Sequence, residues 1–234
     1  DIDNRGGTMR QTSGVGLKVT ANSLSNTGGG VIGPEPVPPT GAGSSGGTSP
    51  GDLPGPGHIT AAGAILNDGG RIHSSGAIQL ETRQFNNNGG FLAATTLTAG
   101  GPSFTNVGGT VDVSQGFSAN VDRFDNSGGT VRAGRLDVTS TGDLINSGGK
   151  LDAGQLSLQA SNIANTGGDI VQAGTTAARI SVADVLDNSA GTIASNGNSA
   201  IVAGGLNNDA GRITAAGDLA GTVAGRATHV GGTA

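Results

Sequence analysis

One phrase, apolar-x-Asn-x-Gly/Ala-Gly-x-apolar, returns along almost the whole chain, and that return limits the possible folds more than any single residue does. Aligned on its asparagine, the phrase occurs at Asn4, Asn26, Asn67, Asn87, Asn106, Asn126, Asn146, Asn165, Asn188 and Asn208. The steps between these positions are 22, 41, 20, 19, 20, 20, 19, 23 and 20 residues. One unit is therefore about 20 residues long, with a single doubled interval. A degenerate further copy is expected at His229, ahead of Gly231 and Gly232.

Two residues before the asparagine come Ile2, Leu24, Ile65, Phe85, Phe104, Phe124, Leu144, Ile163, Leu186 and Leu206. Five residues after it come Met9, Val31, Ile72, Leu92, Val111, Val131, Leu151, Ile170, Ile193 and Ile213. Most units add an alternating pair, such as Leu17 and Val19, Ile78 and Leu80, or Leu136 and Val138. Each unit thus reads as three short strands punctuated by Gly and Asn, with no helical period of useful length. Strands this short cannot bury a face alone. Stacking one unit on the next buries a continuous column and pairs the backbone between neighbours. The expected fold is all-β, a parallel β-solenoid of about eleven coils forming a rod roughly 50 Å long. Residues 1–234 are expected to form one such solenoid.

In a stack, the repeated residues have structural tasks. Asparagine at one corner of every coil can pass amide hydrogen bonds along the axis, and this reading is preferred to a sugar or metal contact. The following glycines are expected to supply the positive-φ corner. Phe85, Phe104 and Phe124 are expected to stack as an interior ladder of rings.

The doubled interval contains "GPEPVPPTGAGSSGGTSPGDLPGPG", residues 33–57, with seven of the eight prolines of the chain. Proline cannot donate to a strand ladder, so this run reads as an insertion outside the coils, the solenoid continuing beneath it. It is a candidate partner-binding loop, with Pro34, Glu35, Pro38, Asp52 and Pro54 as the residues offered. A tolerated insertion or hinge is the preferred alternative.

Composition narrows the function classes. Hydrophobic residues are only 34% of the chain and Gly numbers 46, so the ordered pattern, not the amount of apolar surface, argues for folding. Net charge is −5 with Lys and Arg scattered, which leaves no basic stripe for nucleic acid. No run is long and apolar enough for a membrane helix. Without cysteine there are no disulfides or thiolate metal sites, and His58, His73 and His229 are too dispersed to suggest a metal centre. No cofactor is expected. Asp112, Arg132 and Asp152, each six residues after an asparagine, read as an alternating outer-face charge ladder in preference to catalytic groups. Phe91 is a candidate lone contact residue on the outward side. The chain has neither Trp nor Tyr to serve as a platform for a strong sugar site.

The phrases "DIDNRGGTM", "FDNSGGTVRAG", "LDNSAGTIASNG" and "LNNDAGRITAAGDL" resemble the repeats of filamentous haemagglutinins and of contact-dependent growth-inhibition exoproteins. The resemblance covers nearly everything outside residues 33–57. It implies a right-handed parallel β-helix in the shaft of a large Gram-negative exoprotein, secreted or held at the cell surface. It also implies export through an outer-membrane two-partner secretion transporter, and flanking solenoid repeats of the same chain as stacking partners. No functional residue carries over, because the shared motif is the structural repeat. The sequence starts and stops inside units, so it reads as a piece of a longer solenoid whose cut ends would tend to associate. A shaft that displays adhesive or toxin modules is the first functional expectation. A module binding an unidentified receptor on host or bacterial cells is the second, and a polysaccharide-processing enzyme is a distant third.

Overall fold

Alternation of apolar and polar residues along each unit becomes alternation of burial. In Thr130–Ser140, Val131, Ala133, Leu136, Val138 and Ser140 point inward. Gly134 and Arg135 both lie outward, so the alternation is re-phased there and the strand turns a corner. The computed structural model describes residues 1–10, 17–33 and 57–231. Among these residues every strand pairing is parallel and there is no helix.

The stack makes about 10 turns. Eleven corner positions, His229 included, bound ten intervals, which is why the turns number one fewer than the expected coils. The three expected short strands also run together in the middle of the rod. Phe91–Thr105 and Thr110–Asp125 are continuous for 15 and 16 residues. Thr110–Asp125 still meets its neighbours in three segments, with a register irregularity between Val113 and Gly116.

Each coil lies in register on the next, so like residues form columns. The position two before the asparagine runs Ile2, Leu24, Ile65, Phe85, Phe104, Phe124, Leu144, Ile163, Leu186, Leu206. The position five after it differs from expectation once. Val31 is outward and Ile32, 1% exposed, pairs with Met9 and Ile72 in the core column. Three glycines, Gly28 to Gly30, make that corner one residue longer, and the turn closes from Gly30 N–H to Thr27 C=O instead of to the asparagine. One extra residue moves every later side chain to the opposite face until the chain re-phases.

Strand pairing passes straight across the doubled interval. Lys18 and Val19 lie beside His58 and Ile59, Leu24 beside Ile65, and Ile32 beside Ile72.

Phenylalanine packing is richer than a single ladder. Phe104 and Phe124 stack at 5.1 Å with an interplanar angle of 2°, and Phe85 is tilted against Phe104 at 4.9 Å. Phe117, from the column of Leu97 and Leu136, joins them at 5.4 Å from Phe104 and 6.2 Å from Phe124. Its partners are seven and thirteen residues away, a spacing outside the repeat, so periodicity gave no hint of the contact.

Candidate functional site

The ten corner asparagines form one hydrogen-bonded file. Each Nδ2 donates to Oδ1 of the asparagine in the next coil at 2.6–2.8 Å, from Asn4 to Asn26 and onward to Asn188 and Asn208. All nine bonds point the same way along the chain. An amide permits identical residues to do this, since it both donates and accepts, whereas a carboxylate only accepts. The remaining amide proton is held by backbone carbonyls, as Asn126 Nδ2 is by Gly129 C=O at 3.1 Å and Lys150 C=O at 3.2 Å. Eight of these side chains are 0% exposed, so no ligand reaches them from solvent. At the C-terminal end of the file Asn208 Nδ2 lies 2.8 Å from His229 Nδ1, the imidazole occupying the asparagine position.

The two glycines after each asparagine are not equivalent. The first holds the left-handed conformation, as at Gly128 with φ 60°, and an added Cβ there would meet nothing within 4 Å. Ala190 and Ala210 take this place in the last two asparagine corners, at φ 53° and 54°. The second is glycine for lack of room. From Gly30 to Gly211, an added Cβ would stand 1.7–2.3 Å from the backbone oxygen of the asparagine one coil earlier. At the regular corners the positive-φ role expected of both glycines belongs to the first; in the longer Asn26 corner Gly28 and Gly29 share it, at φ 59° and 82°.

Four charged pairs join residues two apart in the chain, while Arg123 to Asp143 at 3.7 Å and His58 to Glu81 at 3.8 Å run between coils. Arg5 meets Asp3 at 2.6 Å, Arg123 meets Asp125 at 2.9 Å, Arg135 meets Asp137 at 2.5 Å and Lys150 meets Asp152 at 3.3 Å. Members of each of these four pairs are two residues apart and so project from the same face. The side-chain hydrogen bond from Arg5 holds the Asp3 carboxyl below its usual range, and the bonds to Asp3 and Asp137 raise Arg5 and Arg135 further above theirs. Asp112, Arg132 and Asp152 do share a column. Asp152 nevertheless pairs with Lys150 rather than along the axis, which corrects the expected charge ladder. Asp112 and His73 face one shallow notch of about 260 Å³ with Ser74, Thr95 and Ser114. Ala93 separates them in their column, so they stand two coils, about 10 Å, apart, beyond the reach of a histidine–carboxylate pair.

Phe91 is not a free contact residue. The Arg71 guanidinium lies 4.1 Å over its ring, with Arg71 Nε buried and without a hydrogen-bond acceptor. Pro34, Glu35, Pro38, Asp52 and Pro54 lie outside the described residues.

Sequence reasoning passed over Gln172. It occupies an inward position where neighbouring coils place Ala153 and Ser195, and it is 0% exposed. Two signals marked it: a polar residue in phase with the core, and the 23-residue step of its unit. Backbone bonding to the preceding coil ends with Gly174 N–H to Gly154 C=O at 3.1 Å, and pairing resumes at Ser157 and Arg179. The additional residues of the long unit bulge out between these points as a lip. Where the lip leaves the sheet, Gln172 Oε1 accepts the Leu156 N–H at 2.9 Å, in place of a strand carbonyl. Its Nε2 donates to Gly174 C=O at 3.1 Å and to Thr176 C=O, and reaches Ser195 Oγ at 3.4 Å.

No curated protein and no solved structure matches the chain. The haemagglutinin repeat family matches residues 1–69, 55–101, 93–148 and 133–228. That match spans the same coils the asparagine file joins, and this chain belongs to the haemagglutinin repeat family, whose members are structural and adhesin-type exoproteins.

Proposed function

We propose that this chain is a stiff, non-enzymatic shaft segment of a large Gram-negative surface or secreted adhesin, exported by two-partner secretion. In this role it holds adhesive or toxin modules at a distance from the cell. The observation that carries the reading is the unbroken asparagine file, flanked by in-register core columns. Between the end coils every repeated residue has a neighbour above and below it in the stack, so repetition is explained by stiffness along the axis and needs no ligand. The ten asparagines and the Phe85, Phe104 and Phe124 stack act in this reading as the spine of the rod. In this reading the described residues, 1–10, 17–33 and 57–231, form one solenoid body.

The test is binding of the chain, with and without residues 33–57, to host cells and Gram-negative cells after circular dichroism shows β-structure in both. A shaft shows no saturable binding at micromolar concentration in either form. Saturable binding that requires residues 33–57 would favour the second reading, a receptor-recognition loop.

A further inference from the structure

The lip at residues 175–177 borders a notch in the outer face. Its floor is Gln155, Leu156 and Ser157, and its walls are Arg135 with Asp137 on one side and Thr176, Ala177 and Arg179 on the other. The volume is about 180 Å³. Strand register explains its shape. Arg135 stands beside Gln155, and Asp137, Ser157 and Arg179 follow one another in a single outward column. The short, neutral Ser157 therefore sits between a carboxylate and a guanidinium whose backbones are two coils, about 10 Å, apart.

The charges are not balanced. Both Arg135 nitrogens that face Asp137 are engaged by its carboxylate, through Nε and Nη2. Arg179 is exposed, and none of the ion pairs among the described residues involves it. The notch thus carries one uncompensated positive charge beside a side-chain amide and two hydroxyls. Its wall is fixed from beneath, because buried Gln172 ties the lip to the preceding and following coils.

The geometry points to a binding site for one carboxylate-bearing sugar, a uronic or sialic-type acid. Arg179 would take the carboxylate through its planar fork, and Gln155, Ser157 and Thr176 would exchange hydrogen bonds with ring hydroxyls. A peptide fits less well, since the notch has no apolar subpocket for a side chain and its floor is polar apart from Leu156, itself 4% exposed. A site this small and open to solvent binds weakly, in about the millimolar range. It is compatible with the shaft reading and independent of it.

The experiment uses the 234-residue chain labelled with nitrogen-15, titrated with glucuronate, N-acetylneuraminate, glucose, acetate, sulfate and a short acidic peptide. The expected result is saturable shifts of the Gln155, Ser157 and Thr176 amides with one or both acidic sugars, and none with glucose or acetate. Arg179→Gln, an outward residue, should weaken that binding by about tenfold or more, the loss of one charge-assisted contact. Arg212→Gln, the same charge change on an outward residue away from the notch, should alter it by less than about twofold. Equal binding of glucose, equal binding of acetate or sulfate, preference for the peptide, or an Arg179→Gln chain that binds like the parent would each overturn the assignment.

Discussion

The first eight asparagine corners of the rod carry glycine at their left-handed position, while the last two asparagine corners carry Ala190 and Ala210. Apart from the longer Asn26 corner, both groups close the same turn, from the second glycine N–H to the asparagine carbonyl, as Gly129 to Asn126 at 3.0 Å and Gly191 to Asn188 at 3.0 Å. The comparison separates two reasons for glycine that the written motif merges. At the first position the cost of a side chain is conformational, and alanine bears it in open space. At the second the obstacle is the backbone of the neighbouring coil, and glycine holds that place in both groups.

Substitutions at one regular corner should rank these contributions. The largest effect is expected from Asn126→Ala, which leaves the Asn106 amide without its acceptor and Asn146 Oδ1 without its donor, both buried. A loss of about 4 kcal/mol is expected, read as a lowered urea midpoint with amide exchange fastest in the coils on either side. Gly129→Ala comes next, since its Cβ would stand 2.0 Å from Asn106 O. About 3 kcal/mol should be lost as adjacent coils are forced apart, and a midpoint unchanged from the parent would contradict the steric account.

Gly128→Ala sharpens the contrast by copying what residues 190 and 210 already have. It should lose only about 1 kcal/mol, so Gly128→Ala and Gly129→Ala, neighbours in sequence, should differ clearly in the same melt. Phe117→Leu tests the additional ring contact and should lose about 1 kcal/mol by removing two aromatic pairings, with the near-ultraviolet dichroism reduced. The smallest effect is Ala190→Gly. Relief of the positive φ slightly outweighs the greater freedom of the unfolded chain, for a gain of about 0.5 kcal/mol. A loss of stability there would mean that Ala190 makes a contact the open-space argument overlooks. Because solenoids can unfold in parts, exchange rates resolved by coil are the more discriminating readout.

Some of this was legible in the residues alone. A 20-residue period with apolar positions at fixed offsets from asparagine admits few arrangements other than stacked coils, because each unit is too small to bury its own face. The column membership of Ile2 through Leu206 followed from alignment without any structure. The exceptions have local causes. Val31 was misassigned because Gly28, Gly29 and Gly30 all look like corner residues, and only the paired backbone shows which of them is additional. Arg71 over Phe91 joins side chains 20 residues apart whose meeting depends on rotamers. The notch beside Arg179 required knowing where three surplus residues leave the sheet, and a step of 23 says only that they leave somewhere.

By itself, then, the sequence determined the class of fold, its repeat length and the identity of most core columns, since these follow from periodicity and the need to bury short strands. Tertiary structure alone decided the common direction of the asparagine bonds, the different duties of the paired glycines, the meeting of Phe117 with the ring stack and the opening at Gln172. Each of those depends on which atoms of one coil face which atoms of the next. A linear pattern records that residues are equivalent, but contact distance and hydrogen-bond polarity exist only between stacked coils.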